Sequence, residues 1–517
     1  MQKIKRLFSV LAATALAGTS ALTLAGCAGG GDKTVTLRVC SWEEYIDLGG
    51  WEQDEVIELE KDDGETVTIF GENSMVDDFT EWFNSDESGF DFDVRVEYST
   101  FGTNEDLYNR LSLGDVYDLV CPSDYMIMKL IAEDKVENFS DDFFDKNNAN
   151  NFYVNNVSPY IDGVFTDYDW NKLAACYMWG TTGIVYNPDK VDAEDVSTWE
   201  ILRNSKYKRQ VTIKDNVRDA YFATLGIINS DELKGGVDDA RRSELLNDVK
   251  SETIAQAEDV LKQIKDNVYS FETDAGKADM VTGKVFANYQ WSGDAVYIMD
   301  EAEDDGTELW YSVPDECTNL WFDGWLMLKD GIAGDDNRQI AAEAFVNFLS
   351  KPENAVRNMY YIGYTSAIAG ETVYDYMDWN YGAETDDTVD YDLTYFFDPE
   401  DTEGNFVLSV DAENFGFEDD DLLKTSPNRG RQLFAQYPPA NVMARSVVMV
   451  DFGDKLAEIN QMWINVRCLD LKDISPVTVG IVAGVVGAVA IGICLYAFRY
   501  KIFIKHRPKK GYHKVEE

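Results

Sequence analysis

The sequence predicts an α/β ectodomain followed by one membrane-spanning helix, and three observations carry that reading. Short β-branched runs such as Val35-Thr-Leu-Arg-Val39, and later 94–98 and 118–121, alternate with segments of helical periodicity. Strand, helix, strand, helix in that order makes parallel βαβ units. The composition, 45% hydrophobic and 13% aromatic over 517 residues, is that of a globular chain long enough for two or three domains. Residues 477–498 carry no charged side chain, and at ~1.5 Å per residue that run reaches across the ~30 Å hydrocarbon core.

Taken in order, residues 1–26 read as a lipoprotein signal peptide: Lys3, Lys5 and Arg6, an apolar run over 7–22, then Leu24-Ala25-Gly26-Cys27. That ending resembles a bacterial lipobox and predicts lipidation of Cys27, with a Gly-rich tether over 27–34. The first strand leads into Ser41-Trp42-Glu43-Glu44-Tyr45. An aromatic and a carboxylate where a strand gives way to a loop occupy the usual place of ligand contacts in α/β folds. Residues 52–89 are acidic, with one apolar run at 67–70 and a helix-like segment at 75–83. After the strand at 94–98, Thr103 is placed to cap a helix with Asp106 at the capping-box position. After 118–121, Ser123 is placed to cap the helix over 125–131. Strands are expected at 181–187, 211–213, 285–291 and 320–328. Helices are expected from Ala220, over 254–264 and 337–349, and from Ser350-Lys-Pro, with Pro in its first turn. Residues 371–425 are again acidic and aromatic. Asp386-Asp387 and Asp419-Asp-Asp421 lack the spacing of a calcium loop and read as a solvated acidic face. A basic tail, 499–517, follows the predicted span and is placed in the cytoplasm by the positive-inside rule.

Charge narrows the partners. With 95 acids against 45 bases the net charge is −50, which repels nucleic acid and attracts cations. Both histidines, His506 and His513, lie in the basic tail. An ectodomain without histidine has no Ser-His, Cys-His or His-metal chemistry, which removes most hydrolase and zinc mechanisms; no enzymatic activity, metal or cofactor is expected. The seven cysteines form no C-x-x-C pair and are expected to be mostly buried thiols.

Several ordered motifs together resemble the spermidine/putrescine-binding proteins, the extracellular receptors of bacterial polyamine ABC importers. They are Ser41-Trp-Glu-Glu-Tyr45, Tyr117-Asp-Leu-Val-Cys-Pro-Ser-Asp-Tyr125, Trp179-Gly-Thr-Thr-Gly-Ile, Asp215-Asn-Val-Arg-Asp219, Trp291-Ser-Gly-Asp-Ala295, Trp321-Phe-Asp-Gly-Trp325 and Tyr361-Ile-Gly-Tyr364, with a weaker return at Asp451-Phe-Gly-Asp. The resemblance implies a two-lobe periplasmic-binding-protein-like fold of type II. Lobe one would be 33–173 plus 330–468 and lobe two 186–320, with crossings near 174–185 and 321–328 and the ligand between the lobes. It also implies a polyamine ligand and the permease of an ABC transporter as partners, an ectodomain outside the bacterial cell membrane, and attachment through the lipid and the C-terminal helix.

Carried over by that resemblance, Trp42, Tyr45, Trp291 and Trp321 form apolar walls, Glu44, Asp219 and Asp323 are charge partners, and Ser123, Tyr125 and Tyr364 are polar or flanking contacts. Asp215 stands beside Asn216 where an acid is expected, and either of the two is placed to face the cleft. An amide position of the family falls at about Met449. The residue types suit the ligand: aromatic faces cover methylenes and attract ammonium by roughly 0.5–2 kcal/mol each, and carboxylates make charge-assisted hydrogen bonds to it. Two alternatives stand beside this reading. One is a receptor for a sugar or amino acid, in which only Arg218 among the motif residues would meet a carboxylate. The other is a carbohydrate-active enzyme using paired carboxylates such as Glu44 and Asp323.

Overall fold

The computed structural model describes residues 34–61, 64–415 and 427–468. The predicted signal peptide, the lipidation site Cys27, the span at 477–498, the basic tail and Asp419–Asp421 lie outside the described residues. Among the described residues no helix is long and apolar enough to cross a membrane. The chain divides into a large unit ending at Leu456 and a second beginning at Ala457.

The main-sheet strands that frame the candidate site are, in chain order, β1 Thr34–Trp42, β2 Asp93–Phe101, β3 Leu119–Val120, β4 Ala175–Tyr186, β5 Val211–Lys214, β6 Ser270–Glu272, β7 Ala287–Trp291 and β8 Thr318–Leu328. They lie in the order β2-β1-β3-β8-β4-β7-β5-β6. β1 runs parallel to β2 and β3, and β5 runs parallel to β6 and β7, as alternation of strands and helices predicts. Between these two groups stand the long strands β4 and β8, paired antiparallel from Leu320↔Thr181 to Trp325↔Ala175, with a bulge between Asp323 and Gly324. Every residue of both is buried, as expected of strands covered on both faces.

Helices follow the strands on the pattern read from sequence: α1 Met75–Phe83, α2 Asn104–Leu113, α3 Asp124–Ala132, α4 Val217–Ile228, α5 Ala275–Val281, α6 Ser292–Asp304, α7 Asp336–Leu349 and α8 Pro352–Ile362. Thr103 caps α2 through the Asp106 amide. Ser123 sits at the cap position of α3 but makes no capping bond; its hydroxyl is used elsewhere. Cys40, Cys121, Cys176 and Cys317 are free, buried thiols, and Cys468 is exposed.

The two acidic stretches have a structural role that charge alone concealed. The run at 67–70 is not a main-sheet strand: Thr66–Ile69 pairs with Ile57–Glu60 in a separate hairpin that buries Ile57, Leu59 and Ile69 and leaves Glu58 and Glu60 in water. Residues 371–415 form a helix, Glu371–Tyr381, and a hairpin, Thr388–Asp392 with Val407–Asp411. Asp386, Asp387 and Asp390 are exposed, as a solvated face requires, but Tyr391, Leu393, Phe396, Phe397, Leu408 and Val410 are buried. Phe396 stacks on Trp179 of β4 at 5.4 Å. The segment is therefore a packed layer with an acidic outer face.

Candidate functional site

The site assembles where strands give way to loops. Trp42 ends β1, Ser123 and Tyr125 follow β3, Asp323 lies at the bulge of β8, and Tyr364 follows α8; Asp219 lies in the first turn of α4 and Trp291 ends β7.

Asp323 is the centre of one end. It is 6% exposed and accepts two hydroxyl hydrogen bonds, from Tyr45 to Oδ2 and from Ser123 to Oδ1, both at 2.7 Å. This explains why Ser123 leaves its helix uncapped. Asn104 fixes Ser123 from both sides, its amide donating to Oγ and accepting from the backbone N–H, each at 3.1 Å. The indole N–H of Trp42 is buried without a hydrogen bond inside the protein and lies near enough to Asp323 to favour its charged form. Burial nonetheless dominates and raises the Asp323 carboxyl to about 6, against the hydrogen bonds that pull it down. Among the described residues no cationic side chain pairs with Asp323.

A chain of ring contacts runs from Asp323 to the β7 side. Tyr45 meets Tyr364 edge-on at 5.4 Å, and Tyr364 meets Trp321 at 5.6 Å. Two glycines permit this approach. A Cβ on Gly293 would fall 2.0 Å from the Tyr364 ring, and one on Gly180 would fall 2.5 Å from Trp321 and 2.3 Å from Ser292 Oγ. Trp321 is anchored by its N–H to the Thr181 carbonyl at 3.1 Å, and the Tyr364 hydroxyl donates to Asp294 Oδ1 at 3.0 Å.

The second carboxylate, Asp219, is 3% exposed. Burial raises it to about 6, while the Lys214 charge, the Trp291 indole and Arg218 act the other way. It too has no ion pair within salt-bridge distance among the described residues. Trp291 already carries a cation, since Lys214 Nζ lies 4.0 Å from its ring centroid.

The remaining expected residues are placed differently. Glu44 is exposed, held at φ 53°, a left-handed conformation uncommon for a residue with a side chain. Asp215 is exposed, and Asn216 caps α4 through the Arg218 amide. Tyr125 lies under the Arg218 guanidinium at 3.8 Å, with its hydroxyl on Glu105. Arg218 also packs over Phe452, pairs with Asp451 at 3.0 Å and donates to the Val450 carbonyl. With its donors engaged in this way, Arg218 is poorly placed to receive an amino-acid carboxylate. Met449 is buried and lines an apolar recess with Tyr221, Phe222 and Phe452 rather than offering an amide.

Sequence reasoning missed Asn104, Asp124, Lys214, Lys277 and Asp294. Asp124 accepts from the amides of Tyr125 and Phe322, and burial together with the Asp323 charge raises it to about 7. Asp294 lies within the Trp291-Ser-Gly-Asp motif, and Lys214 is the one charged residue of a strand otherwise reading Val-Thr-Ile, so both had a visible signal.

A sequence profile of bacterial extracellular solute-binding proteins matches residues 74–375. The chain belongs to this family. Among curated relatives, it is 26% identical over 352 residues to the spermidine/putrescine-binding periplasmic protein of Escherichia coli, covering 68% of this chain and 82% of that protein. It is 27% identical over 273 residues to the protein of the same name from Salmonella typhimurium, covering 52% and 70%. Among solved structures it is similar to the spermidine/putrescine ABC transporter substrate-binding protein of Streptococcus pneumoniae, with a TM-score of 0.51 at 23% identity over 83% of this chain and 99% of that one. It is also similar to the TpPotD lipoprotein of Treponema pallidum, with a TM-score of 0.55 at 17% identity over 84% and 99%. At such identities the structures bear on fold alone, and the fold of this solute-binding protein is the α/β architecture expected from its sequence.

Proposed function

We propose that this solute-binding protein captures an alkyl polyamine and delivers it to the permease of an ABC importer, without performing chemistry on it. One observation carries the reading: two buried carboxylates, Asp323 beside Tyr45 and Asp219 beside Trp291, have no ion-paired cation of their own among the described residues. Holding a carboxylate out of water is costly unless a positive charge meets it. A chain with ammonium groups and methylenes between them supplies both the charges and the apolar stem that Tyr45, Tyr364 and Trp321 would cover. The similarity to spermidine/putrescine-binding proteins supports the same ligand class. The division into lobes 33–173 plus 330–468 and 186–320, with β4 and β8 as the crossings, belongs to this proposal. So does attachment outside the cell membrane through a lipid on Cys27 and a helix over 477–498.

The test is thermal unfolding of the full chain in detergent with putrescine, spermidine, maltose and arginine. A true ligand at 100 times its dissociation constant stabilises the fold by roughly 2.7 kcal/mol. A shift with a polyamine and none with maltose or arginine is expected; no shift with either polyamine refutes the reading.

A further inference from the structure

Lys214 is the most deeply buried cationic residue among the described residues. Its ammonium donates to the Thr273 carbonyl at 2.9 Å and lies 3.7 Å from Asp294 Oδ2, 4.0 Å from Glu272 Oε1 and 4.0 Å from the Trp291 ring centroid. An alkylammonium over an indole and between carboxylates is what the end of a bound polyamine would look like, yet here the chain itself provides it. The neighbouring acids are correspondingly spent. Asp294 is shared with Lys277 Nζ at 2.9 Å and the Tyr364 hydroxyl, and Glu272 takes the Gly276 amide at 2.7 Å and Asn288 at 3.1 Å.

We propose that Lys214 is a specificity-determining residue that fills, from within the protein, the ammonium position over Trp291, so that the site accepts a short diamine and disfavours a longer triamine. This inference rests on the polyamine reading above. In this proposal a diamine places one ammonium at Asp323 and the other at Asp219, two buried carboxylates without an ion pair among the described residues. The third ammonium of a triamine finds Asp294 and Glu272 already neutralised and meets two like charges, Lys214 and Lys277. Exchanging Lys214 for an uncharged side chain of similar length removes one repelling charge and leaves the acids short of a cation, which a triamine supplies.

The experiment measures binding of 1,4-diaminobutane and spermidine to the full chain by titration calorimetry, for the wild type and Lys214→Met. The wild type is expected to favour the diamine at least tenfold, and the substitution to move the ratio toward the triamine by tenfold or more. A wild type that binds the triamine as tightly, or a folded variant with an unchanged ratio, overturns the proposal. A second arm does not depend on the natural ligand: Lys214→Ala opens the position, and ethylammonium, but not ethanol, is expected to raise its melting temperature. Absence of that charge-specific rescue in a folded variant overturns the resident-cation assignment. If the wild type binds neither polyamine while ethylammonium still rescues the variant, the assignment of the ammonium position stands and the polyamine reading falls. If neither variant folds, the wild-type ratio decides.

Discussion

Exchanging Asp323 for Asn separates binding from stability more sharply than any other change to this site. The substitution keeps the shape of the group and both of its neighbours, Tyr45 and Ser123, whose hydroxyls can turn to donate or accept. What it removes is charge. In the ligand-free protein that charge is costly: raising a fully buried carboxyl from 3.8 to about 6 corresponds to about 3 kcal/mol against the folded state at neutral pH. The ligand-free variant is therefore expected to be as stable as the wild type or more so. Binding moves the other way, because a hydrogen bond to a charged group contributes roughly 1.5–3 kcal/mol, which is about 10- to 150-fold in affinity. Titration calorimetry gives the affinity and thermal unfolding without ligand gives the stability. Undiminished polyamine affinity in Asp323→Asn would refute the role of this carboxylate, and a strongly destabilised apo variant would refute the claim that its charge is held for the ligand's sake.

Three further outcomes follow from the same geometry. Asp323 and Asp219 both sit at about 6 through burial, so affinity is expected to fall as pH drops from 7.5 to 5, by about tenfold for each carboxylate that must be ionised. Ligand-free stability has the opposite sign: the folded state holds protons that the unfolded chain has released between about 4 and 6, so melting temperature is expected to rise as pH falls through that window. Affinity that does not change between pH 7.5 and 5 would exclude both groups as charge partners. Gly293→Ala drives a methyl group into the Tyr364 ring and is expected to cost about 1–3 kcal/mol in stability by denaturant unfolding, with weaker binding because Tyr364 also holds Asp294. Glu44→Gln, at an exposed position, is expected to weaken binding only about two- to fivefold with no loss of stability; an unchanged titration would place Glu44 outside the site.

The α/β class, the order of strands and helices and the placement of Trp42 and Trp291 at strand ends were legible in the sequence because they rest on short-range pattern: β-branched runs, caps and a tryptophan at a strand end. The extent of β4 was not. Gly180 reads as a boundary, yet it stands at the middle of a twelve-residue strand, kept small because Trp321 and Ser292 press against it from other parts of the chain. The same limit explains the acidic segment after residue 371, where composition describes the exposed carboxylates while the burial of Tyr391, Phe396 and Phe397 depends on what lies beneath them.

Ser123 and Lys214 show why a site is harder to read than a fold. A serine before a helix caps it through an amide two or three residues on, and a lysine at a strand end ordinarily carries its ammonium to water. Here each side chain gives up its local role for a group distant in sequence: Ser123 for Asp323, 200 residues away, and Lys214 for Asp294 and Trp291. A capping bond forgone and a lysine desolvated are both unfavourable taken alone, so each persists only because a buried charge at the other end requires it. Local rules fail at these positions because a group distant in sequence sets each side chain's partner, the Asp323 carboxylate for Ser123 and Asp294 with the Trp291 ring for Lys214.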